Sequence, residues 1–498
     1  MQKQKPWLLL LIMTLVSSCG TSSSGTTLDN SVSDNTESSS ILSSEPNVDE
    51  YYGTIEDRVL FSDYQGLDFI ERFDDGLSDD IWYTLDGAWH TTVVGAPHNG
   101  VNKRNIFYTS DGETDYLAIK GRGFYNREDP LIIGKPEGGV IITKNHLTPG
   151  RYEILMAALP REGAVTAMWT YCTTTGNEVT SQNEIDIEIG GTTGPSQFES
   201  FWATSWTKRE TKQTETVDVS DLFFLNDGQI HKYTFDWYTD YQGSGVRRVD
   251  WFVDEKYVVS VDGNVVPEYD MPLWIGVWFP PLWPGNPSFE EDYVLIEEIS
   301  FRAFENSQYH ETCRSQPGYT KTLPSESNIQ TISYEDIRNL NKLSNADFET
   351  LQTAERDNSY FGWKVDNASK GTVSLTADAK TGTNAFMLTA GPETEATYDG
   401  QYIKQTISNV FVGYRYQFSI DAKLLDAASS GNIEIYYRDI TGRSINRINL
   451  PVESQNYTTY EYDIVMPENS YSLEIDITSE KGSVIYDNAS LVFLGLAN

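Results

Sequence analysis

Cysteine and histidine are scarce, three and five in 498 residues. Neither type clusters, which removes the ligand sets that build zinc sites. Positive charge is short as well: 36 Lys and Arg stand against 73 Asp and Glu, a formal charge of −37. Such a chain repels a polyanion at long range, so nucleic acid is excluded as a partner. Acidity of this size suits a well-solvated extracellular protein, or one in salt water where screening relieves the self-repulsion. Long stretches of 3.6-residue periodicity are also missing, which excludes helix-built folds.

What is present begins with a targeting segment. Lys3 and Lys5 precede an apolar run from Trp7 to Val16, and Val16-Ser17-Ser18-Cys19 follows. The run is too short for a comfortable membrane span. It resembles a bacterial lipoprotein signal, which implies cleavage before Cys19, acylation of its thiol and attachment to a membrane; Gly20 then favours outer-membrane sorting. The bland alternative is an ordinary signal peptide with an incidental Cys19. Cys172 and Cys313 remain, free to pair in an oxidising compartment, although sequence does not show them to be near each other.

Composition divides the rest. Residues 1–19 are the signal, and 20–57 a polar tether rich in Ser, Thr, Asp and Asn. Residues 58–305 hold many short β-like runs, among them Tyr116–Lys120, Val165–Tyr171 and His231–Trp237, separated by Gly, Pro, Asn and Asp. The segment 306–337 reads as a polar linker, and 338–498 as a second β-rich unit. The fold class is therefore all-β: a jelly-roll sandwich followed by a second, smaller β-sandwich.

The informative stretch runs from Asn183 to Gly191. Ile185, Ile187 and Ile189 alternate with Glu184, Asp186 and Glu188, placing three acids on one strand face. A core-facing sheet surface does not tolerate three carboxylates, and a solvent face normally mixes in Lys or Thr. Glycosidic cleavage, by contrast, needs one ionised and one protonated carboxyl group on opposite sides of the scissile bond. Two long Glu side chains on one twisted strand are able to lean together, and an Asp between them raises the acid's pKa by its charge.

Glu184-Ile185-Asp186-Ile187-Glu188 resembles the signature of glycoside hydrolase family 16, a jelly-roll family. The flanking runs Val165–Tyr171, Val249–Asp254 and Asp292–Val294 are similar to its strands, and the resemblance covers about 60–305. It implies Glu184 as nucleophile, Asp186 as helper and Glu188 as acid/base in an endo-acting, retaining hydrolase that needs no catalytic cofactor. With one residue between Asp186 and Glu188, the motif resembles the bulge-free, lichenase-like branch, favouring a β-1,3/1,4-glucan. An endo-β-galactanase on algal or host galactans and a transglycosylase are the alternatives. A non-catalytic glycan-binding surface protein gives no reason for the three acids.

Sugar rings stack on aromatic faces. Trp169, Tyr171, Trp206, Trp278 and Trp283 are the candidates for the cleft, with Trp202 and Trp274 nearby; Arg151 and Asn183 have either a site role or a structural one. The last module resembles the carbohydrate-binding β-sandwiches appended to such enzymes, through Asn345–Glu349, Phe361-Gly362-Trp363, Tyr402–Gln405 and Tyr486-Asp487-Asn488. That resemblance implies sugar stacking by Trp363 and Tyr402, and a structural Ca²⁺ held by Glu349 and Asp487. The expected partners are a polysaccharide substrate and, through Cys19, a membrane; the chain reads as a monomer.

Overall fold

The short runs become strands because alternating side chains find the apolar core on one side, and along Val165–Thr173 the other side is covered as well. The structure is a computed structural model describing residues 69–89, 99–123, 136–159, 161–175, 178–190, 200–208, 211–218, 228–280, 284, 287, 289–305, 307–311, 313, 319–351, 359–360, 362–365, 370–392, 400–408 and 410–497. Cys19, the tether and Trp283 lie outside these residues.

Between Phe69 and Thr331, 18 strands form a continuous sheet that folds over into two layers. The front layer runs Thr320–Thr322, Trp82–Trp89, Glu137–Thr143, Leu273–Trp278, Val165–Thr173, Gln182–Gly190, Ser200–Lys208 and Thr211–Asp218, antiparallel at every step. The back layer runs Ile106–Ser110, Asp115–Arg122, Glu291–Ala303, Gly150–Ala157, His231–Tyr238, Arg248–Val253 and Lys256–Asp262. Trp82–Trp89 and Glu137–Thr143 pair in both layers and join them. Ile185, Ile187, Ile189, Phe201 and Ile275 from the front meet Tyr152, Ile154, Phe235, Trp251 and Ile299 from the back in one buried core. Each such side chain contributes about 1.5–3 kcal/mol on burial. This is the jelly-roll sandwich expected.

A smaller sandwich follows, with a six-stranded and a five-stranded sheet. Its separate core includes Phe386, Ile403, Phe418, Ile433, Ile475 and Leu491.

The connector differs from the loose linker its polarity suggests. Thr320–Thr322 extends the front layer, and Gln330–Thr331 pairs in parallel with Phe107 and Tyr108. A short helix, Tyr334–Arg338, starts on Ser333, whose hydroxyl accepts the Asp336 N–H, and buries Ile337 against Ala118 and Tyr293. Tyr334 stacks on Tyr116 at 5.8 Å, and the Arg338 guanidinium lies 4.6 Å from the Phe493 ring. A few apolar anchors spaced through a polar stretch suffice to fasten it. Cys313 reaches back to Cys172 in a disulfide, with Cα atoms 5.9 Å apart.

Candidate active site

Strand alternation sorts the carboxylate strand, Gln182–Gly190, into two faces. Ile185, Ile187 and Ile189 are fully buried in the core, which turns Glu184, Asp186 and Glu188 outward. Glu184 lies between Tyr171 and Trp206, Asp186 between Trp169 and Thr204, and Glu188 between Ala167 and Trp202. Pairing keeps its register along both edges of the strand, so no bulge re-aims Glu188. From the back layer, the Trp251 indole N–H donates across the core to the Asp186 carbonyl oxygen at 3.1 Å. The middle of the strand is thus held from three directions.

Asp186 is only 4% exposed. Its Oδ2 accepts the Trp206 indole N–H at 2.9 Å. Burial, then the charges of Glu184 and Glu188, hold its pKa well above the ordinary carboxylate range, against the pull of the Trp206 hydrogen bond. A protonated Asp186 is a donor, and Glu184 is its hydrogen-bonded neighbour. Glu184 also accepts from the Gln182 side-chain amide. Glu188 is pushed up to about 7 by burial, opposed by the charge of Lys212. Lys212 lies opposite Trp206 on the next strand, its Nζ 4.3 Å from the indole centroid. The face therefore carries a carboxyl group fed by donors, a helper whose pKa is raised by burial, and an acid able to give and take a proton near neutrality.

The aromatic candidates separate. Trp169 and Tyr171 are on the acid face but only 5% and 7% exposed. Trp274 stacks on Trp169 at 5.8 Å and meets Tyr171 edge-on at 6.4 Å. With Leu85, Val140 and Ile142 they form a second apolar cluster, so they wall the site and offer no open ring face. Trp206 is half-buried, its N–H given to Asp186 and its ring under Lys212; it acts on the acids themselves. Trp278 is half-buried at the edge of the cluster. Trp283 lies outside the described residues.

Arg151 and Asn183 have structural roles. Arg151, in the back layer, grips buried Asp236 with two 2.7 Å hydrogen bonds. Asn183 shares the isoleucine face and donates to the Ser181 carbonyl at 3.1 Å. Sequence reasoning missed three participants. Gln182 was visible as the same-face residue before Glu184. Lys212 required the register of the Trp206 hairpin, and Trp251 had no local signal.

In the smaller sandwich, Trp363 is fully buried, packed on Phe348 at 5.2 Å and donating to the Asn345 carbonyl. This corrects its assignment as a sugar platform: the core takes the ring. Tyr402 is half-buried on the outer face of the six-stranded sheet. Glu349 and Asp487 do converge on one loop, but as acceptors. Glu349 takes the N–H groups of Thr383 and Asn384, and Asp487 those of Lys380, Thr381 and Asn488. Donors turned on these oxygens present positive ends where a cation needs lone pairs, so the residues present do not fit Ca²⁺. Among the described residues, no cluster of three or more acids, His or Cys is arranged to hold a metal.

Residues 105–294, which include all three acids, match the family model of Glycosyl hydrolases family 16. A xylanase/beta-glucanase of Ruminococcus flavefaciens is 30% identical over 161 residues, 32% of this chain and 17% of that protein. A beta-glucanase of Acetivibrio thermocellus is 30% identical over 151 residues, 30% of this chain and 38% of its own length. The chain thus spans less than 40% of the length of these curated relatives. The solved beta-glucanase of Bacillus licheniformis aligns with 48% of this chain and 100% of its own, at 18% identity and a TM-score of 0.38.

The raised Glu188 pKa has a thermodynamic consequence. Between the ordinary value of 4.5 and about 7 the unfolded chain binds fewer protons at this site than the folded one. Stability therefore falls as pH rises through that window. Glu188→Gln is expected to melt progressively higher than the parent from pH 4.5 to 7 and to hold that gain above it. A melting difference independent of pH would contradict the assignment.

Proposed function

We propose that the family 16 segment works as an endo-acting, retaining hydrolase of β-linked polysaccharide, with a β-1,3/1,4-glucan as the favoured substrate. The observation that carries this reading is the single outward face of Glu184, Asp186 and Glu188, on which burial raises the pKa of Asp186 well above the ordinary carboxylate range and that of Glu188 to about 7. In this mechanism Glu184 attacks the anomeric carbon while Glu188 protonates the departing glycosidic oxygen. Asp186 donates a hydrogen bond to Glu184 and withdraws it as the new bond forms. Glu188 then takes a proton from the water that releases the sugar from Glu184.

The unbroken register at Glu188 and the two relatives, a xylanase/beta-glucanase and a beta-glucanase, support the glucan. A transglycosylase would share the same covalent intermediate. The N-terminal pattern ending in Cys19 supports secretion with a lipid anchor.

Two variants test the roles. Glu184→Gln should lower kcat/KM on lichenan by at least about 10³-fold with the melting temperature held, and NMR of the parent should reveal first products of unchanged anomeric configuration. Full activity in the variant, or an inverted first product, would sink the mechanism. A panel adding laminarin, xyloglucan, agar and galactan decides the substrate. Lys212→Met removes the charge that favours ionised Glu188, so the alkaline limb of the pH–rate profile, set near 7 by Glu188, should move to higher pH. A limb that stays in place or moves down would separate Lys212 from the acid.

A further inference from the structure

The carboxylate strand begins at a fastened corner. Gln182 is its first residue and pairs with Thr173 across the hairpin. The Thr174 N–H donates to the Ser181 carbonyl at 3.2 Å, and the Thr175 N–H to the Ser181 hydroxyl at 3.1 Å. The Asn183 side-chain amide donates to the same carbonyl, and Cys172, opposite Asn183, is tied to Cys313. A side chain mounted on this corner is held in place before any substrate arrives.

Gln182 is buried and lies on the acid face, two positions from Glu184. Its Nε2 donates to Glu184 Oε2. The reverse orientation of the amide would set a carbonyl oxygen against a carboxylate oxygen, so the partner itself fixes the donor. The buried hydroxyl of Thr173 makes no hydrogen bond among the described residues, so it does not draw the amide away from Glu184.

Glu184 thus stands between two same-face neighbours of different kinds. Asp186 donates only while it carries a proton. The amide does not titrate, so its hydrogen bond persists at every pH. A donor to the ionised form favours that form, and burial strengthens the bond. Holding one oxygen also limits rotation of the carboxylate, which aligns it for attack. The flanking strands face Glu184 with Tyr171 and Trp206, and beyond Trp206 with the cations Lys208 and Lys212. We propose that Gln182 is the positioning residue of the nucleophile, its amide holding Glu184 Oε2, favouring the ionised carboxylate and limiting its rotation. The inference rests on the hydrolytic reading of Glu184.

Gln182→Met keeps the side-chain length and removes the donor. On the preferred polysaccharide it should lower kcat about ten-fold, the worth of one hydrogen bond to a charged group, with the melting temperature and KM held. Glu184 then ionises at higher pH, so the acidic limb of the pH–rate profile should move up. Gln182→Glu distinguishes a donor from a spacer: the new carboxyl donates while protonated and repels Glu184 once ionised. That variant should come nearest the parent at the acidic end and lose activity at lower pH than the parent does. Carbon-13 NMR of the Glu184 carboxyl, assigned by its absence from Glu184→Gln, reads the effect without turnover; in Gln182→Met its titration should move to higher pH. An unmoved limb with an unmoved titration in Gln182→Met, or a Gln182→Glu profile lowered evenly at all pH, would overturn the positioning role. A parent inactive on every polysaccharide would instead overturn the hydrolytic reading, and the Glu184 titration would still decide whether Gln182 acts on that carboxyl.

Discussion

The site depends on the burial of three isoleucines. Ile185, Ile187 and Ile189 fix which way the strand Gln182–Gly190 faces, and thereby force Glu184, Asp186 and Glu188 onto the opposite surface. A slip of one residue would bury the acids and expose the isoleucines, at a cost no cleft chemistry could offset. The Trp251 hydrogen bond to the Asp186 carbonyl adds a cross-layer pin at the centre of the same strand. Neighbouring strands then determine what each acid meets.

Enforced proximity also sets the protonation states. Three carboxylates on one face cannot all ionise when the middle one is buried. Asp186 is held well above the ordinary carboxylate range, Glu188 titrates near neutrality, and Trp206 and Lys212 pull in the opposite direction from one side of the strand. The site is thus polarised: the aromatic cluster around Trp169 and Trp274 lowers the dielectric on one flank, while donors and a cation occupy the other.

Properties carried by local alternation were legible in the sequence. The all-β class, the two sandwiches and the face shared by the acids follow from period-two patterning over a few residues. What escaped depends on partners distant in the chain. Trp169 and Tyr171 were placed on the right face, yet their exposure is decided by Trp274, more than a hundred residues away. Sugar stacking by Trp363 rested on a resemblance to carbohydrate-binding modules, but Phe348 draws its ring into the core. Glu349 and Asp487 converge as expected, and only the direction of the N–H groups around them distinguishes a loop clamp from a cation site. The Cys172–Cys313 pair and the packed connector likewise needed the tertiary structure.

The direct measurement is capture of the covalent intermediate. An activated 2-deoxy-2-fluoro glycoside of a β-glucan oligosaccharide slows release more than attack, so intact-protein mass spectrometry should register one added glycosyl group. Peptide mapping should then place it on Glu184. A glycosyl adduct on Glu188 or Asp186, or turnover of the reagent with no adduct at any time, would contradict the division of roles on which the site has been built.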